Sequence, residues 1–89
     1  MLNARSSLVI CVLNWNRPDD TIACVASLLA SEAADQHVLV VDNGSDDGSV
    51  VRLRAQFGDT IEVLETGSNR YYAGGMNVGI ERAMSLGAE

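Results

Sequence analysis

Three short apolar runs recur along the chain at similar intervals. Residues 8–13, 38–41 and 61–64 are rich in β-branched side chains, and each run is followed by polar or turn-forming residues. The first two runs are continuously apolar, which is typical of strands buried on both faces of a parallel sheet. The third contains Glu62, which predicts a wetter strand at the edge of the sheet.

Apolar residues at helical spacing occupy the stretches after these runs. They predict helices over about residues 18–31, 49–57 and 74–86. The resulting order of elements, β-α-β-α-β-α, favours right-handed crossovers and a parallel sheet. We therefore expect an α/β fold with three α/β/α layers and a parallel sheet in the strand order 3-2-1.

Composition and charge narrow the range of partners. The 89 residues carry a formal net charge of −6, and nucleic-acid binding depends on Lys and Arg that neutralise phosphates, so no nucleic-acid partner is expected. The two cysteines, Cys11 and Cys24, are too few for a disulfide scaffold, and they are predicted to be small buried hydrophobes in a reducing compartment. No apolar run reaches the roughly 20 residues of a membrane span, and no cleavage site follows the first run, so a cytoplasmic location is predicted.

Polar side chains follow the first two apolar runs. Asn14 and Asn16 come after the first, and Asp42 and Asn43 end the second. Because ligands of open parallel sheets bind beside the carboxyl ends of the strands, Asp42 is placed to accept hydrogen bonds from a ribose or a base. An Asp that precedes Asn-Gly also forms turns by itself, and this structural interpretation stays open.

A third polar segment, residues 68–77, contains Gly74 and Gly75. Paired glycines let a ligand or another backbone come close, and the amides at a helix start suit a phosphate or a sugar hydroxyl. The same glycines also allow a helix to pack tightly on the sheet, and the two interpretations are compatible. Together the three polar segments indicate a nucleotide-sugar site.

Other kinds of site fit these residues less well. The first turn has no glycine and residues 74–79 do not match G-x-G-x-x-G, which argues against an NAD site. The carboxylates of Asp42, Asp46 and Asp47 lack the spacing of a calcium loop. His37 stands alone at a strand start and is predicted to be structural.

With these three segments, the chain resembles the amino-terminal half of the family 2 glycosyltransferases, which have a Rossmann-like GT-A fold. The matching segments are Val-Leu-Asn-Trp-Asn-Arg-Pro over residues 12–18, Val-Val-Asp-Asn-Gly-Ser-Asp-Asp-Gly-Ser over 40–49, and Asn69 with Ala-Gly-Gly-Met-Asn-Val-Gly-Ile over 73–80. The Asn-Trp-Asn turn and the Ala-Gly-Gly-x-Asn segment look most like the rhamnosyltransferase-like branch, which makes cell-surface polysaccharides.

The resemblance implies inverting transfer of a sugar from a dTDP- or UDP-linked donor to the hydroxyl of a glycan or lipid-linked acceptor. Carried over by position, the nucleotide and the donor sugar would be bound by Leu13, Asn14, Asn16, Asp42, Asn43, Arg70, Gly74, Gly75 and Asn77. No catalytic residue is assigned within the chain. The parent protein is expected in the cytoplasm, and its association with a membrane is left open.

Two parts of the family's machinery have no counterpart in these residues. Members hold Mg²⁺ or Mn²⁺ with an Asp-x-Asp-like motif that neutralises the departing diphosphate, and a later carboxylate deprotonates the acceptor. The chain ends at Glu89, where a fourth strand would begin, so residues 1–89 are expected to be the nucleotide-sugar-binding half of a GT-A domain. We expect this half to be inactive alone and to self-associate through its open sheet edge. A non-catalytic nucleotide-binding or interaction module is the alternative.

Overall fold

A computed structural model of the chain describes residues 8–30, 36–69 and 71–86. The strands are β1 (Leu8–Asn14), β2 (Gln36–Asp42) and β3 (Glu62–Glu65), and the helices are α1 (Pro18–Ala30), α2 (Ser49–Phe57) and α3 (Tyr71–Ser85). A short 3-10 turn over Gly58–Thr60 joins α2 to β3. Within the described ranges, none of the helices is both long and apolar enough to cross a membrane.

The strands form one parallel sheet in the order β1-β2-β3. This arrangement confirms the predicted α/β class and the strand order 3-2-1. The register pairs Asn14 with Asp42, and Asp42 with Glu65. The carboxyl ends of all three strands therefore lie side by side at one end of the sheet, where the polar segments follow them.

One face of the sheet packs against α1 and α2. Val38 and Val40 of β2 form a cluster there with Val25 of α1, Leu53 of α2 and Ile61, and all of them are at most 3% exposed. Burial of an aliphatic side chain of this size stabilises the fold by about 1.5–3 kcal/mol. This cluster fixes the two helices whose preceding loops carry the polar strand ends.

The opposite face packs against α3 through glycines. A Cβ atom at Gly79 would lie 3.2 Å from Cys11 Sγ and from Val41 Cγ2, and a Cβ atom at Gly75 would lie 2.6 Å from Leu13 Cδ1. Such a contact at Gly75 is closer than van der Waals packing allows, so a side chain there would have to displace the end of the Leu13 side chain. The packing interpretation of the glycine pair is therefore the one observed at Gly75, and helices cover the sheet on both faces.

Glu62 lies on the α3 side of the edge strand β3, in a charged cluster. Its carboxylate accepts hydrogen bonds from Arg82 Nε at 2.6 Å and Arg82 Nη2 at 3.1 Å, and His37 Nε2 lies 3.0 Å from its Oε1. Burial by itself would raise the pKa of Glu62, but the hydrogen bonds from Arg82 and His37 hold that pKa below its ordinary value. The edge position predicted for this strand is confirmed, although Glu62 is half-buried rather than facing water.

Three further expectations differ from the structure. The first apolar run predicted a strand buried on both faces, but residues 9–13 of β1 are half-buried, because in the described part of the chain β1 pairs only with β2. The helix α3 begins at Tyr71 rather than at residue 74, so the polar segment is shorter than predicted and Gly74 lies in the first helical turn. Gly75 and Gly79, where α3 packs closely on the sheet, also lie within the helix despite the poor helix propensity of glycine. Cys24 is exposed rather than buried, because the buried stripe of α1 runs through Thr21 and Val25.

Candidate functional site

The carboxylate of Asp42, at the end of β2, is held by donors from the chain itself. Asn14 Nδ2 donates to Oδ1 at 2.8 Å, the Ser45 hydroxyl donates to the same oxygen at 2.7 Å, and the Ser45 backbone N–H donates to Oδ2 at 3.0 Å. Asp42 is only 2% exposed, and a buried carboxylate needs such donors because an unpaired buried charge is strongly unfavourable. The turn-forming interpretation of Asp42 thus describes the free chain, and its contact with a nucleotide stays a prediction.

Asn14 is oriented from both ends of its amide. Thr21 Oγ1 on α1 donates to Asn14 Oδ1 at 2.5 Å, while Asn14 Nδ2 donates to Asp42 and, at 3.2 Å, to Ser45 Oγ. These bonds fix which end of the amide faces the carboxylate. Sequence reasoning did not single out Thr21, since a pair spaced seven residues apart across a strand-to-helix turn follows no helix or strand period.

Ser45 lies at the centre of this cluster. Its hydroxyl donates to Asp42 and accepts from Asn14 Nδ2 and from the backbone N–H of Asn16, the last at 2.9 Å. One donated and two accepted hydrogen bonds use the full capacity of a hydroxyl. A second link runs from the backbone N–H of Asp46 to Asn16 Oδ1 at 3.0 Å. The loop after β1 and the loop after β2 are therefore joined.

The joined loops present an aromatic side chain to solvent. Asn16 has a left-handed backbone conformation with a φ of 50°, which Asn tolerates better than most residues. Trp15 precedes it, and its side chain is 49% exposed although tryptophan is highly buried on average. Trp15 was not among the predicted site residues, and its place directly after a strand end was the signal that could have found it.

The segment after β3 reaches the same end of the sheet. The backbone N–H of Thr66 donates to the Asp42 carbonyl at 2.9 Å, and Asn43 Nδ2 donates to Asn69 Oδ1 at 3.1 Å. Gly44 has a φ of 84°, and a Cβ atom there would lie 2.6 Å from the backbone of the segment after β3. Only glycine fits both the conformation and the crossing, so all three strand ends converge.

Most of the predicted binding residues lie together at the ends of β1 and β2 or on the helix beside them: Leu13, Asn14, Asn16, Asp42, Asn43 and Gly75. A Cβ atom at Gly75 would lie 3.3 Å from Asn43 Cγ as well as close to Leu13. Gly74 is half-buried and Asn77 is exposed, both on α3. Arg70 lies outside the described residues.

The divalent metal that the resemblance implies does not fit the described residues. No three His, Cys, Asp or Glu side chains among them come close enough to hold a metal ion. The carboxylates after β2 make turn contacts instead. Ser45 and Asn14 bind Asp42, and the Ser49 hydroxyl donates to Asp47, a hydrogen bond that lowers the pKa of Asp47.

Comparison with known families bears directly on this arrangement. The sequence model of Glycosyl transferase family 2 matches residues 7–85, which include all three strands, all three helices and the polar strand ends. The chain belongs to Glycosyl transferase family 2. Comparison with curated protein sequences gives no match. Membership of the glycosyltransferase family agrees with the parallel sheet, which is that of a partial, Rossmann-like GT-A fold.

Proposed function

We propose that this chain binds the nucleoside diphosphate sugar donor of a glycosyltransferase at the carboxyl ends of β1 and β2, for inverting transfer to an acceptor hydroxyl. One observation carries the proposal: the exposed indole of Trp15 stands on a turn that Ser45 ties to Asp42. Open parallel sheets bind their ligands at this position. Membership of family 2 supports the class of reaction.

The base of the nucleotide would stack on Trp15. Base–aromatic stacking contributes about 1–3 kcal/mol and tolerates different bases, which suits either a UDP- or a dTDP-linked donor. Asp42 Oδ2 accepts one hydrogen bond, from the Ser45 N–H, and a carboxylate oxygen has room for two. A ribose hydroxyl or a base N–H is the second donor that we propose. Gly75 keeps α3 close to Leu13, which narrows the crevice on the α3 side.

The diphosphate and the sugar would extend toward the start of α3. The amide end of a helix attracts phosphate groups, because its first N–H groups have no partner within the helix. Gly74, Gly75 and Asn77 lie on the first turns of α3, and Arg70 precedes it in the sequence. An arginine can bind a diphosphate through two parallel hydrogen bonds.

The finer assignment follows the sequence resemblance. The Asn-Trp-Asn turn and the Ala-Gly-Gly-x-Asn segment support a rhamnosyltransferase-like enzyme of polysaccharide synthesis with a glycan or lipid-linked acceptor. The metal and the general base of the reaction are proposed to lie outside the described residues. The free thiols of Cys11 and Cys24 support a cytoplasmic setting. In the described part of the chain the outer edge of β1 pairs with no strand, which supports association through that edge.

The fluorescence of Trp15, the only tryptophan of the chain, tests the proposal directly. We expect UDP and dTDP to quench the indole emission in a saturable manner, because a stacked base covers the exposed ring. Inorganic pyrophosphate serves as the control, since it has the charge of the diphosphate but no base. Unchanged emission with either nucleotide, or equal quenching by pyrophosphate, would contradict base stacking at this site.

A non-catalytic nucleotide-binding module is the second candidate, and the lack of a metal-holding group among residues 8–30, 36–69 and 71–86 favours it. The two functions differ in their response to the sugar. A donor site gives amide NMR shifts on α3 around residues 74–77 with UDP-sugars that UDP alone does not give. A simple nucleotide module gives the same shifts with both ligands.

A further inference from the structure

We propose that Ser45 is a positioning residue that sets the geometry of the Trp15 turn and thereby the affinity for the donor nucleotide. The proposal rests on the function proposed above, because it names the group that holds the stacking surface in place. Ser45 is not expected to touch the base. It acts through Asn16, because Ser45 Oγ accepts a hydrogen bond from the backbone N–H of Asn16 at 2.9 Å.

The turn that carries Trp15 needs external support. A left-handed conformation at a residue other than glycine is unfavourable by itself and persists only where its surroundings hold it. Asn16 has this conformation and is held on both sides, since its N–H donates to Ser45 Oγ and its Oδ1 accepts the N–H of Asp46. Both partners belong to the loop after β2. The position of the indole therefore depends on a segment distant in sequence.

The direction of the Ser45 hydroxyl is set by the buried carboxylate. Its single proton is donated to Asp42 Oδ1, so its lone pairs are left for Asn14 Nδ2 and the Asn16 N–H. Asp42 accordingly influences the Trp15 turn through Ser45, without contact between Asp42 and Trp15 being required. Asp42, which the sequence predicts to contact the nucleotide, therefore also holds the loop after β1 in place.

Removal of the Ser45 hydroxyl tests the positioning role while the Asp42 carboxylate keeps most of its donors. In Ser45→Ala the carboxylate of Asp42 keeps two donors, Asn14 Nδ2 and the backbone N–H of residue 45. The N–H of Asn16 loses its acceptor completely among the contacts described. The main consequence is expected at the turn, so Ser45→Ala is a more selective change than any substitution of Asp42.

The experiment compares the wild-type chain with Ser45→Ala, Ser45→Thr and Ser49→Ala. The fluorescence anisotropy of Trp15 is measured without nucleotide, and UDP affinity is measured by calorimetry. We expect Ser45→Ala to lower the anisotropy and to weaken UDP binding about three- to tenfold, because a mobile loop must be ordered on binding. Ser45→Thr keeps the hydroxyl and should restore both values.

Ser49→Ala is the matched control. Ser49 lies in the same segment and bonds to Asp47 rather than to Asn16, so its loss should change neither the anisotropy nor UDP affinity even if stability falls. Wild-type values of both in Ser45→Ala would overturn the proposal. If the wild-type chain binds no UDP, the proposed function fails, and the anisotropy of nucleotide-free Ser45→Ala still decides whether Ser45 positions the turn.

Amide hydrogen exchange in the wild-type chain tests the positioning role even if the Ser45 variants do not fold. The N–H of Asn16 points to a side-chain acceptor rather than to water, so we expect its hydrogen exchange to be slower than that of Trp15 and Arg17. Exchange of Asn16 as fast as that of its neighbours would overturn the positioning role without any substitution.

Discussion

Asn14 and Asp42 end adjacent parallel strands as a register pair, and the Asn14 amide donates to the Asp42 carboxylate at 2.8 Å. Both side chains are almost completely buried, at 1% and 2% exposure. The bond joins β1 and β2 at the end of the sheet where the polar loops begin. The same contact therefore stabilises the fold and shapes the proposed site, and substitutions here should affect both.

We expect Asp42→Ala to lower the free energy of unfolding by about 2–4 kcal/mol, because it removes the buried acceptor of both Ser45 donors and of one N–H of Asn14 Nδ2. The other N–H of Asn14 Nδ2 keeps Ser45 Oγ as its partner. Urea denaturation followed by circular dichroism measures the change. Asp46→Asn is the control, because the Asp46 side chain is exposed in the same loop. A wild-type urea midpoint for Asp42→Ala would show that the buried network contributes little.

We expect Trp15→Ala to weaken UDP binding by about 1–3 kcal/mol while leaving stability almost unchanged, since the lost contact is stacking on an exposed ring. Calorimetry gives the affinity in a variant that has no tryptophan. Val51→Ala removes a side chain that is 72% exposed on α2, and it should bind UDP like the wild type. If Trp15→Ala and the wild type bind UDP with equal affinity, the base does not stack on Trp15.

We expect Gly75→Ala to destabilise the chain by about 1–3 kcal/mol, because its new methyl group would overlap Leu13 Cδ1. The double variant with Leu13→Ala removes the overlapping atom. In a double-mutant cycle, Gly75→Ala should therefore lower the free energy of unfolding less in the Leu13→Ala background than in the wild type. Strictly additive losses would mean that α3 does not pack on Leu13 as described.

The charged cluster of Glu62 predicts a pH dependence of stability. Hydrogen bonds from Arg82 and His37 outweigh burial and lower the folded-state pKa of Glu62. A carboxyl group with a lowered folded pKa contributes stability above its unfolded pKa, and that contribution is lost as pH falls through the folded value. We therefore expect Glu62→Gln to be less stable than the wild type near neutral pH and to show a smaller loss of stability in acid.

Urea midpoints between about pH 7 and about pH 3 cover the range in which this carboxyl group titrates. Glu81→Gln is the matched control, since Glu81 is also a glutamate but is exposed on α3. Its stability should fall with pH in parallel with that of the wild type. A Glu62→Gln profile parallel to the wild-type profile would show that the cluster does not couple protonation to folding.

The strands were predictable from their apolar runs, and the edge position of β3 followed from Glu62. Nearly continuous burial is found only in β2, since residues 9–13 of β1 and most of β3 are half-buried. The start of α3 was not predictable, since α3 begins at Tyr71 and continues through Gly74 and Gly75, and the close approach of Leu13 to Gly75 is a tertiary contact. Local propensity contains no such information. The predicted strand ends did converge, as expected for a parallel sheet.

The internal bonding of the site could not be derived from the sequence. The Asn16 N–H and Ser45 Oγ are 29 residues apart, and the contact joins a backbone group to a side chain. No periodicity marks such a pair. The turn-forming and the ligand-binding interpretations of Asp42 rest on the same residues in the sequence. The structure shows the internal bonds of the carboxylate to Asn14 and Ser45, and its contact with a ligand stays a prediction.

The central claim, that the joined ends of β1 and β2 form the nucleotide pocket, is tested most directly by an amide NMR titration of the chain with UDP and dTDP, with and without Mg²⁺. We expect saturable shifts that cluster at residues 14–16, 42–44 and 74–77. A well-dispersed spectrum in which these amides do not move, or in which shifts occur only elsewhere on the chain, would contradict the claim.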